Sequence, residues 1–462
     1  MKSYSINLKE DSIYQLFIKI AIPSSIGTIF QNLYSVVDSI FAGKMISTFA
    51  LAAIGQIFPI YFVIIALGVG LGIGSTSLIA NNIGSNNLNK AAQVFAQSIV
   101  LSIIVAIIIS FIGINFSEII IRTINDNQKT LNYSTQYINI IFIGSIFIFI
   151  LMTLNSSLSA QGDTKSYRNV LIFSFILNIL LNPILITGKL FGMKLFAPLG
   201  ISGIAIATIL SQFVGIFYLL FKIKKTIIYN NVKLIYFIPN FFIIRSVLTL
   251  GIPASIGLMM IAVGSYILLF VVAYFGDNAI AGYTAAIRYE QLFFLPLLGL
   301  STAVISIVGQ NFGGKNYNRV KETNRKALKL GIFILIILGI IMYLTSELAM
   351  TIFTSNEEAI KYGSIYLKIS AFMFPAFPFF FINNATFQGL KKPLIVMFIA
   401  IIRFVLIPII ILSLIIFLID KNFVYIFIAL VFMHWFIAIF YFIFSKYKIA
   451  SILYKAIEFR ED

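Results

Sequence analysis

The stretch Ala21-Ile-Pro-Ser-Ser-Ile-Gly27 returns 230 residues later as Gly251-Ile-Pro-Ala-Ser-Ile-Gly257, and this repetition decides the fold. A second stretch, Asn81–Asn87 (Asn-Asn-Ile-Gly-Ser-Asn-Asn), returns as Gln310–Asn316 (Gln-Asn-Phe-Gly-Gly-Lys-Asn) at almost the same offset. Self-similarity at a steady offset is the signature of a duplicated structural unit. The sequence therefore predicts two copies of one unit, joined end to end.

Each predicted copy contains six long apolar runs. The chain is 60% hydrophobic and 11% charged, with a mean hydropathy of +1.01. Apolar runs of about 18 residues or more predict membrane-spanning helices. The predicted spans are 13–42, 49–80, 91–115, 132–160, 167–187, 199–222, 245–275, 279–309, 325–345, 362–388, 393–418 and 422–445. The predicted fold class is an all-α integral membrane protein with twelve transmembrane helices, in two six-helix lobes related as parallel repeats.

The basic residues predict the topology and the domain organisation. Most Lys and Arg residues fall on one side of the membrane when both termini are cytoplasmic, as the positive-inside rule requires. We therefore expect a multi-pass protein of the cell (inner or cytoplasmic) membrane with both termini in the cytoplasm. The predicted parts are an N-terminal lobe (1–222), a basic cytoplasmic linker (223–244), a C-terminal lobe (245–445) and a cytoplasmic tail (446–462).

Composition argues against several other classes of protein. The net charge is +17, but the basic residues lie between apolar runs, which makes them topology signals and predicts no nucleic-acid partner. The chain has no cysteine, and its single histidine, His434, makes no multi-histidine metal site. No cluster of His, Asp or Glu stands at one membrane face, so we expect neither an enzyme nor a cofactor. The lobed repeat also argues against a passive channel.

One acidic residue stands in an unusual place. Asp38 lies late in the first span, within the polar stretch Gln31–Lys44. A charged residue within a span costs roughly 2.5–3.5 kcal/mol at the membrane centre, so it usually faces a bundle interior and marks an ion or proton path. Of the sixteen Asp and Glu residues, only Asp38 and Glu290 fall deep inside predicted spans.

The two copies differ at this acid. The position equivalent to Asp38 in the second copy is apolar, near Leu268. Asn178 and Asn182 are four residues apart, and therefore share one face of the fifth span. The second copy has Arg403 in place of Asn178. The asymmetry predicts a carboxylate site in the first lobe and a cation in the second.

The ordered motifs resemble the multidrug and toxic compound extrusion (MATE) family. They are Val308–Lys315 after the eighth span, its weaker copy Ala80–Ser85, the Ile-Pro opening of each half, and Gln161-Gly-Asp-Thr-Lys165. The likeness extends over nearly the whole chain. It implies a V-shaped bundle of two six-helix lobes around a central cavity. It also implies a secondary active exporter of amphipathic, often cationic drugs, driven by protons or sodium ions and able to act as a monomer in membrane lipid.

The resemblance assigns a cation-coupling role to five residues of the first lobe. Asp38 matches the first-span aspartate that prokaryotic members use for coupling and substrate release, and Asn178 matches a fifth-span asparagine of that cluster. Asn182 falls where some members have a second aspartate. Asn155 and Thr208 are further candidates for the cluster. One carboxylate is compatible with one proton, or with one sodium ion held by neutral oxygen ligands, and the only metal expected is sodium at Asp38. The seventh and tenth spans carry no acid, although another branch of the family has its cation site there.

A physical hypothesis for coupling follows from these residues. A proton or an ion at Asp38 would repack the first span near Pro23 and Gly27, because proline removes a backbone hydrogen bond and permits a kink. Drug and coupling ion would compete for the same charge. Candidate residues of the substrate cavity are Gln31, Tyr34, Arg288, Glu290, Phe379 and Arg403. The alternative function is a lipid-linked oligosaccharide flippase, which would need several cavity arginines and finds only Arg288 and Arg403.

Overall fold

A computed structural model of the chain describes residues 6–123, 127–410 and 422–458. Over those residues, twelve helices are long and apolar enough to cross a membrane, which confirms the predicted number of spans. The end of the eleventh predicted span, residues 411–418, lies outside the described residues.

The first repeat forms six helices, three of which begin at a polar side-chain cap. The side chains of Ser47, Asn87 and Asn127 accept hydrogen bonds from backbone N–H groups in the first turns of α2, α3 and α4. Such caps satisfy donors that a helix start leaves free. Gly188, with a φ of 67°, ends α5 in the left-handed conformation that glycine adopts readily. The elements are α1 Ile13–Phe41 with a π-helical turn Ala42–Ile46, α2 Thr48–Gly84, α3 Leu88–Arg122, α4 Gln128–Ala160, α5 Lys165–Thr187, the antiparallel hairpin β1 Lys189–Leu190 and β2 Met193–Lys194, and α6 Ile201–Ile223.

The second repeat contains more breaks than its hydropathy predicts. Its helices are α7 Phe241–Ala273, α8 Asp277–Phe293, α9 Leu295–Gly313, α10 Tyr317–Phe353, α11 Glu357–Ser370, α12 Phe377–Gly389, α13 Pro393–Ile401 and α14 Phe423–Glu458. Two predicted continuous spans are divided, at the α8–α9 junction and at the 3₁₀ segment Ala371–Ala376. Pro296 and Pro375 lie at these breaks, where a proline removes a helical hydrogen bond. A π-helical turn, Ile402–Leu406, follows α13.

The last helix is longer than the sequence predicts. The sequence predicts that the twelfth span ends at residue 445 and is followed by a tail, but α14 continues to Glu458. Ile449 and Leu453 are buried in this extension. Apolar residues four apart on one face stabilise the added turns by packing, and hydropathy alone does not register that pattern because Lys446, Lys448 and Lys455 interrupt it.

Contacts divide the chain into two units. The central unit is Ile26–Ser255, and the terminal unit is Met1–Ser25 together with Ile256–Asp462. Both divisions fall inside a helix, α1 and α7 respectively. The lobe boundaries at 222 and 245 stay a prediction. They differ from this division because the contacts place the start of α1 in the terminal unit and the start of α7 in the central unit.

In the central unit, α4 packs against α2, α3 and α6, and α5 packs against α6. Small residues bring these helices close. A Cβ at Gly144 would lie 2.2 Å from Ile209 of α6, and a Cβ at Gly68 would lie 2.4 Å from Met152 of α4. Such close approach is typical of helix contacts in membranes, where packing rather than a hydrophobic driving force stabilises association.

The terminal unit is built around α10, α11 and α12. α10 contacts α9, α11 and α12, while α14 packs on α11 and α12. Aromatic rings fill the space beside the α8–α9 break. Phe294 lies 5.2 Å from Phe374 and 4.5 Å from Phe377, measured between ring centroids. The breaks therefore coincide with a packed aromatic cluster.

Equivalent glycines make equivalent contacts in the two units. In the central unit, a Cβ at Gly70 of α2 would lie 2.0 Å from Ser255 Oγ and 2.6 Å from Ser255 N. In the terminal unit, a Cβ at Gly299 of α9 would lie 2.1 Å from Ser25 Oγ and 2.9 Å from Ser25 N. Gly299 is the repeat equivalent of Gly70, and Ser255 is the repeat equivalent of Ser25. The duplication predicted from the sequence is thus visible in tertiary contacts.

Candidate functional site

Asp38 lies in the central unit and is buried, with 3% of its surface exposed. Three neutral side chains donate hydrogen bonds to its carboxylate. Oδ1 accepts from Asn178 Nδ2 at 3.1 Å and from Asn182 Nδ2 at 3.0 Å. Oδ2 accepts from Thr208 Oγ1 at 3.1 Å. Four of the five predicted coupling residues therefore meet at one point, which we call the Asp38 cluster.

The helices explain why these side chains converge. Asn178 and Asn182 stand one turn apart on α5, so both amides face α1. Asn182 Nδ2 also lies 3.0 Å from Asn178 Oδ1, which ties the two amides together. Thr208 reaches the other carboxylate oxygen from α6. Because Asn178, Asn182 and Thr208 are each at most 1% exposed, the donors are held away from lipid and water.

The charge balance of the cluster is incomplete. Within the described residues, the ion pairs involve no residue of the Asp38 cluster, so the carboxylate has no protein cation as a partner. Asn182 Oδ1 is buried and has no hydrogen-bond partner among the described residues. A buried charge without a counter-charge is unfavourable by several kcal/mol, even with hydrogen bonds. The arrangement therefore favours the arrival of a proton or a small cation.

The structure does not bring Asn155 to the cluster. Its Oδ1 instead accepts a hydrogen bond from Ser159 Oγ, one turn further along α4, at 3.2 Å. The α4 residue whose hydroxyl lies near the Asp38 carboxylate is Tyr137. The family resemblance makes Asn155 a candidate, whereas nothing in the sequence singles out Tyr137.

A cavity adjoins the cluster, and central-unit residues line it. Its enclosed volume is about 50 Å³, and it is partly open to its surroundings. Gln31 and Tyr34, both predicted cavity residues, are among its walls. Tyr34 also connects the cavity to the cluster, because its hydroxyl donates to the Thr208 carbonyl at 3.3 Å. The other walls are Tyr61, Ile65, Ile148, Leu151, Met152, Tyr167, Leu171, Ser174 and Gln212.

The cavity walls combine aromatic rings, aliphatic side chains and amides. Such walls suit flat, amphipathic molecules, with a few polar groups to orient them. The sequence did not single out Tyr61, Tyr167 or Gln212. They lie on α2, α5 and α6, and only the packing of these helices around α4 places them on one surface.

The four remaining predicted cavity residues lie in the terminal unit. Glu290 is buried, and its carboxylate accepts from Tyr366 Oη at 2.6 Å and from Ser370 Oγ. Arg288 is exposed on the same helix, so the two do not pair. Phe379 is half-buried against Phe442. Arg403 is buried beside His434. A role in substrate binding stays a prediction for all four.

Comparison with known proteins agrees with this architecture. A model of the MatE family matches the chain twice, over residues 23–184 and 253–414. The chain is 26% identical to the probable multidrug resistance protein YoeA of Bacillus subtilis over 381 residues, which are 82% of this chain and 81% of that protein. It is 27% identical to the probable multidrug resistance protein NorM of Thermotoga maritima, over 87% of this chain and 86% of that protein.

Solved structures give the same result for the fold. An outward-facing structure of a multidrug resistance MATE family transporter of the MOP superfamily matches with a TM-score of 0.89. The match is 24% identical and covers 98% of this chain and 99% of that one. The two matches of one family model repeat the offset of the duplicated motifs. The chain is a multi-pass membrane protein, with twelve candidate spans in the part that the structure describes, and it belongs to the MATE family of transporters.

Proposed function

We propose that the protein is a secondary active multidrug exporter, which moves amphipathic and cationic compounds across the cell membrane in exchange for protons. The observation that carries this proposal is the Asp38 cluster beside the aromatic cavity. Asp38 has a buried charge, three neutral donors and no protein counter-cation among the described residues. The names of the relatives YoeA and NorM, both probable multidrug resistance proteins, support export of drugs.

We choose the proton as the coupling ion because the cluster offers a hydrogen-bond partner to both the ionised and the protonated form of Asp38. Two amide nitrogens and one hydroxyl donate to the ionised carboxylate. A proton on Asp38 converts one acceptor oxygen into a donor. Asn182 Oδ1, which has no partner within the described residues, is the acceptor for it once the amide turns about its Cβ–Cγ bond.

Competition for one charge then couples the two fluxes. A cationic compound in the cavity stabilises ionised Asp38 by Coulomb attraction, which is strong in a buried site. Protonation removes that attraction and weakens the hold on the compound. The same event changes the contacts of α1 at Asp38. Pro23 and Gly27, on the same helix, are where we propose that α1 bends in response, because Pro23 lacks one helical hydrogen bond.

The test is uptake of ethidium into proteoliposomes under an imposed proton gradient or an imposed sodium gradient, each alone. We expect the proton gradient to drive uptake in the wild type, and Asp38→Asn to abolish gradient-driven uptake. Asp277→Asn is the matched control, because Asp277 is exposed at the start of α8. It should retain wild-type uptake.

Three results would count against the proposal. Wild-type rates in Asp38→Asn would remove the residue from coupling. Uptake driven only by sodium would replace the proton by sodium. Absence of any gradient-driven uptake, together with movement of lipid-linked sugars, would favour the flippase.

A further inference from the structure

Arg403 is a buried cation in the middle of an apolar span. It lies ten residues into the described span Pro393–Ile410, about 15 Å from its start at the helical rise. This depth is about half the thickness of a bilayer's hydrocarbon core. Only 7% of Arg403 is exposed. A cation at such a position is costly and marks a functional site unless a partner neutralises it.

The contacts of Arg403 supply no negative charge. Nη2 lies 3.3 Å from Nε2 of His434, on α14. A guanidinium only donates, so His434 accepts this hydrogen bond as a neutral ring. Within the described chain this is the one hydrogen bond of the guanidinium, and Nε is buried without an acceptor. Donors are therefore left over on a group whose planar geometry matches a carboxylate.

Aromatic rings surround the guanidinium. Its carbon lies 3.8 Å from the ring centroid of Phe380, 4.6 Å from Phe404 and 5.2 Å from Phe377. Such rings hold a cation in place through cation–π attraction, but they do not cancel its charge. The backbone is also irregular here, since Arg403 belongs to the π-helical turn Ile402–Leu406. Single π-helical turns inside helices occur frequently at functional sites.

The buried acid of the same unit is already engaged. Both carboxylate oxygens of Glu290 accept hydrogen bonds, from Tyr366 and Ser370. None of the ion pairs formed by the described residues includes Arg403 or Glu290. The terminal unit thus contains a buried cation whose free donors and aromatic walls have no anion from the described chain.

We propose that Arg403 and His434 form a subsite for the carboxylate of an aromatic, amphipathic substrate. The guanidinium donates to the carboxylate oxygens, and the half-buried ring of Phe377 packs against the flat body of the ligand. This inference rests on the proposed export function and assigns recognition of a substrate carboxylate to a named residue pair. It also gives a role to the residue that replaces Asn178 in the second repeat.

The test uses two dyes that differ at one group. Rhodamine 110 carries a free carboxylate, and rhodamine 123 is its methyl ester, so only the first offers an anion to Arg403. Wild type and Arg403→Gln are compared for uptake of both dyes into proteoliposomes under a proton gradient. We expect Arg403→Gln to lower uptake of rhodamine 110 by about tenfold or more, the range for loss of a hydrogen bond to a charged group. Uptake of rhodamine 123 should stay within about twofold of wild type.

Controls separate this inference from folding and from the proposed function. Arg325→Gln, which removes an exposed arginine of α10, should change neither dye. Arg403→Lys keeps a charge and should lose less of the rhodamine 110 uptake than Arg403→Gln. If Arg403→Gln does not fold, Arg403→Lys is compared with the wild type instead. We then expect the ratio of rhodamine 123 uptake to rhodamine 110 uptake to rise several-fold.

The outcomes are distinct. Failure of the wild type to take up rhodamine 123 contradicts the export function, and binding of each dye to the purified protein, followed by fluorescence anisotropy, then tests the subsite alone. An equal loss of both dyes in folded Arg403→Gln overturns the subsite and makes Arg403 a structural residue. Unchanged uptake of both dyes overturns it as well.

Discussion

Replacing Thr208 with valine removes one hydrogen-bond donor from the Asp38 carboxylate while preserving the size and branching of the side chain. Thr208 Oγ1 donates to Oδ2 at 3.1 Å, and both residues are nearly fully buried. A hydrogen bond to a charged group contributes about 1.5–3 kcal/mol. Thr208→Val therefore destabilises ionised Asp38 by about that amount. If return of Asp38 to its ionised form limits the cycle, proton-driven uptake slows by about 10- to 150-fold.

The assay is proton-driven ethidium uptake in proteoliposomes, with Thr135→Val as the matched control. Thr135 Oγ1 is buried in the same unit and has no hydrogen-bond partner within the described residues. Thr135→Val removes no hydrogen bond to a charged group. Uptake should therefore stay near wild type, and the stability of the protein should not fall. Equal uptake by the two variants, both folded, would refute the idea that the third donor supports coupling.

Two further predictions concern packing and the membership of the Asp38 cluster. Gly70→Ala and Gly299→Ala should each lower the apparent unfolding temperature in detergent, because the added methyl group meets backbone atoms and overpacking costs about 1–3 kcal/mol. Gly55→Ala, with no atom within 4 Å of the new Cβ, should leave it unchanged or raise it, and a drop as large as for the other two would contradict the packing argument. Asn182→Ala should abolish proton-driven ethidium uptake while Asn155→Ala retains it, since only Asn182 contacts the carboxylate. The reverse order would restore Asn155 as a coupling residue.

The number of spans and the duplication could be predicted from the sequence because both depend on local patterns. Apolar runs of sufficient length identify spans, and the repeated Ile-Pro motifs identify the two copies. The grouping of side chains around Asp38 could also be predicted from the sequence. Asn178 and Asn182 share one helix face, and the resemblance to a known family pointed to Thr208.

Hydrogen-bond partners separate Asn155 from the Asp38 cluster. Asn155 Oδ1 accepts a hydrogen bond from Ser159 Oγ, one turn further along α4. The α4 hydroxyl near the Asp38 carboxylate belongs to Tyr137. Residue type alone does not contain this information.

The aromatic cavity and the Arg403 environment lay beyond sequence reasoning for a different reason. Tyr61 and Tyr167 meet only because helices from distant parts of the chain pack around α4. The π-helical turn at Arg403 and the 3₁₀ segment Ala371–Ala376 both lie inside candidate spans of high hydropathy, so hydropathy alone does not reveal them.

The division of α1 and α7 between the two units has a consequence for biogenesis. The central unit includes the contact of Gly70 with Ser255, so it is complete only after α7 has been synthesised, later than all six helices of the first repeat. Residues of α1 up to Ser25 contact Gly299 and must wait longer still.

Neither repeat can therefore finish folding as it leaves the ribosome. Contacts between distant parts of a chain form slowly, because a long loop must close before they contribute. During synthesis, the side of α2 that carries Gly70 and Gly74 lacks its contacts until α7 has been made. We expect a fragment that ends at residue 222 to be an incomplete folding unit, and co-expression with residues 223–462 to restore it.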